Sequence, residues 1–141
     1  MRPRFPKRGA HDTDLTPEGL YDVIVNRLGF TDVCQSPQKF DATTMMWPDK
    51  AYCNPPFSRK EPFVRKAVES NRLGRQALLY LPLDPTTKWF KELYNANALI
   101  IIFTKRMKHS KYPHALYLLR DFKAPQFVLA GSEQEVLKYL A

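Results

Sequence analysis

Two continuous apolar runs, Ala77-Leu78-Leu79-Tyr80-Leu81 and Ala98-Leu99-Ile100-Ile101-Ile102-Phe103, constrain this chain more than any other feature. Each has the length of a strand and no alternation with polar residues, which suits a strand buried on both faces rather than one with a solvated side. The first run is closed by Pro82 and Pro85. The second is rich in β-branched residues and carries the stronger strand signal, so it is expected at the centre of the sheet. Between them, a segment from Thr86 to about Tyr94 places Trp89, Phe90 and Leu93 at helical spacing.

The same alternation of strand and helix extends in both directions. Thr16-Pro17-Glu18 reads as a helix start, with Thr16 as N-cap, Pro17 in the first helical position and Glu18 near the positive end of the dipole. Leu20, Val23, Ile24 and Leu28 then share one face, and Gly29 is the stop. Phe30 to Cys34 is a short strand that should break near Ser36-Pro37, and Lys50 to Cys53 is a second strand that delivers Asn54 at its carboxyl end. Ser58-Arg59-Lys60-Glu61 has capping-box spacing before a helix with Phe63, Val64, Ala67 and Val68 inward and Arg65, Lys66, Glu69 and Arg72 outward, ended by Gly74. His114 to Leu119 and Gln126 to Ala130 are further strands, and Ser132 with Glu135 caps a last helix carrying Val136, Leu137 and Leu140. Strands alternating with helices imply a three-layer α/β domain with a mostly parallel sheet, which takes its ligands at the carboxyl ends of the strands. Asp32 and Asn54 both fall at such ends.

A length of 141 residues fits one domain, here residues 14–141, preceded by a basic Pro/Arg-rich arm over residues 1–13. The formal charge is +8 and the pI about 9.6, a balance that favours a polyanionic partner, nucleic acid ahead of a membrane surface. The two cysteines, Cys34 and Cys53, are too few for a disulfide framework and are not spaced like a zinc knuckle, so both are expected to be reduced and no metal site is expected. No apolar run approaches the roughly 18 residues needed to cross a bilayer, and the basic start lacks the apolar stretch of a signal peptide, which points to a soluble cytoplasmic protein.

The stretch Asn54-Pro55-Pro56-Phe57 carries the chemistry. A residue before proline is driven into extended conformations, so Asn54 and Pro55 are stiffened before any tertiary contact forms. Neither proline has an N–H, so the segment presents acceptors, the Asn54 side-chain oxygen and the Pro55 carbonyl, with no donor from either ring. A rigid pair of acceptors beside the flat face of Phe57 suits the exocyclic amine of a planar base. A Pro-Pro turn closing a strand over a buried Phe is the plainer alternative.

With these residues in view the chain resembles the N6-adenine DNA methyltransferases, most closely their small phage-type members. Asn54-Pro55-Pro56-Phe57 matches a form of their catalytic motif. The order of signals also matches over about residues 15–120: Thr16-Pro17 opening a helix, Gly29-Phe30 leading into Asp32-Val33-Cys34, Trp47 before Tyr52-Cys53-Asn54, Leu81-Pro82 after a strand, Trp89-Phe90, and Arg106 before Pro113-His114-Ala115-Leu116. The five glycines are dispersed, and Asp32-Val33-Cys34 stands where the wider superfamily has a Gly-rich loop.

The resemblance implies a Rossmann-like methyltransferase fold, S-adenosylmethionine as cofactor and duplex DNA as partner in a host cytoplasm. It implies that Asn54 and Pro55 hold the adenine amine next to Pro56, that Phe57 stacks on the ring, and that Thr16, Pro17, Asp32, Val33 and Cys34 line the cofactor pocket. Asp41 is a further cofactor candidate on a looser match. Arg59, Lys60, Lys105, Arg106, Lys108 and Lys111 are the basic groups placed to hold phosphates. Two other functions fit the same residues: a basic DNA-binding module that keeps the fold without turnover, and an enzyme whose amine belongs to RNA or to a glutamine amide.

Overall fold

In a computed structural model, residues 15–35, 41–105 and 112–141 are described. The expected basic arm lies outside them, as do Arg106, Lys108 and Lys111 and the side chain of Phe57. Six strands form one sheet: β1 (Thr31–Asp32), β2 (Ala51–Cys53), β3 (Ala77–Pro82), β4 (Leu99–Phe103), β5 (His114–Leu119) and β6 (Gln126–Ala130). Their lateral order is β1-β2-β3-β5-β4-β6. Pairings are parallel except on the two sides of β5, so β5 alone runs against the rest and the sheet is mostly parallel as expected.

The two continuous apolar runs are explained by cover on both faces. Alternate residues of β3 enter different cores: Ala77, Leu79 and Leu81 pack with α2 (Lys60–Arg72) and α3 (Lys88–Asn95), whereas Leu78 and Tyr80 pack on the opposite face. Phe63, Val64 and Ala67 of α2 and Trp89, Phe90 and Leu93 of α3 close the first face. The second is closed by Leu20 of α1 (Glu18–Tyr21), by Ile24 of the π-helical continuation Asp22–Arg27, and by Val136 and Leu140 of α4 (Glu133–Leu140). Each inward large side chain contributes about 1.5–3 kcal/mol by leaving water. The first helix stops where expected, with Gly29 at φ +78, a conformation that suits glycine. In α4, Ser132 accepts from the Glu135 N–H at 3.2 Å and Glu135 Oε1 accepts from the Gly131 N–H at 3.0 Å.

Four expectations need correction. The strand with the strongest signal, β4, is not central: it lies next to the edge strand β6, because the connection through α3 skips one position that β5 then fills. A continuous apolar run reports cover above and below a strand and not its lateral rank. Thr16 is not the N-cap of α1; that position is Pro17, without a side-chain cap bond, and the helix starts one residue later at Glu18. Ser58 falls inside a 3-10 turn over Phe57–Arg59, held by the Arg59 N–H to the Pro56 carbonyl at 3.0 Å, so Arg59 occupies the N-cap position of α2.

The fourth concerns the cysteines, which are joined rather than reduced: Cys34 and Cys53 form a disulfide with their Cα atoms 5.1 Å apart. The parallel register makes this possible. Asp32 pairs with Tyr52, and the Val33 N–H donates to the Tyr52 carbonyl at 3.0 Å, so the chain leaving β1 runs beside the end of β2. A spacing of 19 residues carries no such signal without the register.

Candidate active site

Parallel neighbours end on the same edge of a sheet, so Asp32 at the end of β1 and Asn54 just past the end of β2 face one cleft. A cleft of about 400 Å³ opens there, lined by Leu15, Thr16, Tyr21, Asp32, Cys34, Gln35 and Asn54. Its polar groups are bonded to one another. The Tyr21 hydroxyl donates to Asp32 Oδ2 at 2.9 Å, and the Cys34 N–H donates to Asp32 Oδ1 at 2.9 Å. Both carboxylate oxygens are thus held in place, and a carboxylate oxygen can accept more than one hydrogen bond.

On the other wall, Asn54 Nδ2 donates to Thr16 Oγ1 at 3.1 Å, and Thr16 Oγ1 lies 2.5 Å from the Tyr52 hydroxyl. Asn54 is only 8% exposed and Tyr52 is fully buried. The Tyr21 and Tyr52 rings meet edge to face at 6.3 Å, which ties the two walls together. Burial comes first among the causes that push the Tyr52 phenol well above its ordinary value, so it stays neutral. Tyr21 is pushed up to about 12, by burial first and then by its bond to Asp32 and the charge of that residue.

Among the expected cofactor residues, Thr16, Asp32 and Cys34 meet at this cleft. Pro17, Val33 and Asp41 do not line it. Val33 points into the core, and Asp41 caps the 3-10 turn Ala42–Thr44, accepting from the Thr43 N–H at 2.9 Å and pairing with Arg59 at 3.6 Å. Pro55 and Pro56 are buried directly after Asn54. Arg59 and Lys60 follow on the same sheet edge and are half-buried, and Arg59 also lies over the Phe63 ring at 5.6 Å. Lys105 is exposed just past β4, at the carboxyl edge as well. His114 is buried at the start of β5, stacked on Tyr80 at 4.5 Å with Nδ1 against the Tyr112 carbonyl at 2.7 Å.

Tyr21 and Tyr52 are site residues that sequence reasoning misses. Tyr52 sits inside the apolar strand that delivers Asn54, and an aromatic there looks like core. Strand parity is the usable signal, because it turns Tyr52 toward the face on which the first helix must pack. Among the described residues, no helix is long and apolar enough to cross a membrane, and no three His, Cys, Asp or Glu side chains gather as a metal site.

A family profile described as DNA N-6-adenine-methyltransferase (Dam) matches residues 8–136, most of the chain and all of this site. The chain belongs to that family. Within the Dam family it is similar to the DNA N-6-adenine-methyltransferase of Escherichia phage T1, 32% identical over 87 residues, which is 59% of this chain and 37% of the phage protein. The chain thus spans little more than a third of the length of that relative. No solved structure matches it.

Proposed function

We propose that this chain methylates the N6 amino group of adenine in DNA with S-adenosylmethionine, on a Rossmann-like methyltransferase fold. One observation carries the reading: Asn54, the first residue of Asn54-Pro55-Pro56-Phe57, lines the same cleft as the Asp32 carboxylate at the carboxyl ends of adjacent parallel strands. Membership of the Dam family and the name of the phage relative support it.

The donor set fits the cofactor. Asp32 is an acceptor suited to a ligand hydroxyl or ammonium, Tyr21 adds a hydroxyl, and Leu15 gives an apolar wall, in a space of nucleoside size. When bound, the cofactor supplies an electrophilic methyl group on a sulfonium. The residues of this chain do the rest. The adenine amine is a weak nucleophile because its lone pair is delocalised into the ring. Accepting its two hydrogens at Asn54 Oδ1 and the Pro55 carbonyl draws the nitrogen toward tetrahedral geometry and frees that lone pair. No strong base is needed, and catalysis rests on alignment and exclusion of water. A duplex hides the amine, so the base is flipped out at a cost of a few kcal/mol, offset in part by stacking on Phe57. Arg59, Lys60, Lys105, Arg106, Lys108 and Lys111 hold the flanking phosphates.

Transfer of labelled methyl groups from S-adenosylmethionine to unmethylated duplex DNA tests the reading, with single-stranded RNA and a glutamine-containing peptide run in parallel. Label on DNA alone is the expected result. Label on RNA or peptide and none on DNA would replace the substrate, and no label anywhere from folded protein would leave a DNA-binding module.

A further inference from the structure

We propose that Thr16 is a positioning residue that sets which end of the Asn54 amide faces the substrate amine, with Tyr52 holding Thr16 in that role; the proposal rests on the reading of Asn54 as an acceptor. The two ends of an asparagine side chain have nearly the same shape and opposite hydrogen-bonding character. A half-turn about the last torsion exchanges them. An asparagine that must accept from an amino group is useless when flipped, because NH₂ then meets NH₂. Some neighbour has to break the symmetry.

Thr16 is placed to do so. Its oxygen accepts from Asn54 Nδ2 across 38 residues of sequence, so the nitrogen end is committed to Thr16 and the oxygen end is turned the other way. A hydroxyl alone would not discriminate, since it can also donate to an amide oxygen. Its proton must be committed elsewhere, and Tyr52 supplies the place: its hydroxyl lies against Thr16 Oγ1, and the phenol is fully buried and neutral. In the proposed arrangement the Thr16 proton goes to the Tyr52 oxygen, so that the bonding runs from Asn54 to Thr16 to Tyr52. A second observation agrees. Thr16 stands in a Thr-Pro-Glu sequence suited to capping a helix, yet α1 has no side-chain cap bond. The hydroxyl goes to the site instead.

Kinetics and NMR of the full chain test this together. Thr16→Val keeps the shape and removes the hydroxyl; it is expected to lower kcat by about 10- to 100-fold, the cost of a misaligned reactant, with little change in cofactor or DNA KM. Thr16→Ser should restore most of the loss, and Tyr52→Phe should lower kcat less than Thr16→Val does. In ¹⁵N spectra, the Asn54 side-chain NH₂ pair, assigned by its loss in Asn54→Asp, should show one protected proton in the wild type and lose that protection in Thr16→Val. Thr16→Ala repeats the test if the valine variant does not fold. A rise in cofactor KM with kcat preserved would overturn the proposal and make Thr16 a direct cofactor contact. An Asn54 pair unchanged in Thr16→Val would overturn it as well. The NMR readout needs no turnover, so a wild type that fails to methylate DNA would sink the functional reading while leaving this one to its own result.

Discussion

Tyr21 donates its hydroxyl proton to Asp32 across a gap of 2.9 Å, joining the first helix to the end of β1 at the floor of the cleft. A hydrogen bond to a carboxylate is worth about 1.5–3 kcal/mol, more than one between neutral partners, so its removal should be measurable. Tyr21→Phe is expected to weaken S-adenosylmethionine binding about tenfold by calorimetry, because the Asp32 carboxylate then loses the bond that fixes its Oδ2. The Tyr21 phenol is raised to about 12, so what it lends to stability is complete below about pH 10 and is lost as the pH climbs through about 12. The Phe variant should lose part of the wild-type decline in that window.

At acid pH the sign reverses, and Asp41 is one of the carboxylates that contribute. Burial pushes its carboxyl up, but the hydrogen bonds from Thr43 and the charge of Arg59 outweigh that and hold it below its ordinary 3.8. A lowered folded value means stability that is present above the ordinary pKa and lost as pH falls through the folded one. Asp41→Asn should cost on the order of 1 kcal/mol at pH 7, and its thermal midpoint should fall less steeply than the wild type below about pH 4. Melting curves from pH 2 to 7 measure both.

The Cys34–Cys53 disulfide closes a short loop, with a sequence separation of 19. Constraining the unfolded chain over such a loop stabilises by about 3 kcal/mol. Reductant should therefore lower the denaturation midpoint of the wild type and leave the Cys34→Ser/Cys53→Ser double variant unchanged. Equal midpoints for the wild type with and without reductant would contradict the pairing.

Lys105 is exposed at the carboxyl edge of the sheet, the edge on which the cleft opens and on which the proposed phosphate contacts lie. Taking away one cation that neutralises a phosphate lowers the slope of log affinity against log salt by about 0.9. Lys105→Ala is expected to reduce the slope by that amount and to weaken binding alike on different sequences, as read by fluorescence titration of duplex DNA.

The parts of this fold that can be read from sequence are those governed by local pattern. His114 to Leu119 and Gln126 to Ala130 are strands over those same residues, and Leu20, Val23 and Ile24 are buried as their spacing requires. Lateral strand order is another matter: nothing in Leu99–Phe103 records that β5 inserts beside it, since that depends on how the chain returns after residue 113. The disulfide is hidden for the same reason, as only the parallel register of β1 and β2 brings Cys34 to Cys53. In the site, Asn54 and Asp32 stand out because strand ends are marked by composition. Thr16 looks like a cap because its local context, Thr-Pro-Glu, favours one, whereas its actual partners are Tyr52 and Asn54, far along the chain. Tyr21 and Tyr52 look like core because an aromatic on an apolar face carries no sign that its hydroxyl is in use.

The proposed role of Asn54 in holding the adenine amine during methyl transfer is tested most directly by nucleoside analysis of unmethylated duplex DNA after incubation with labelled S-adenosylmethionine and either wild type or Asn54→Ala. Label in N6-methyladenine is expected with the wild type, and a loss of at least about 100-fold in the variant, with its fold intact. Label in another nucleoside, or N6-methyladenine formed equally well by Asn54→Ala, would contradict it.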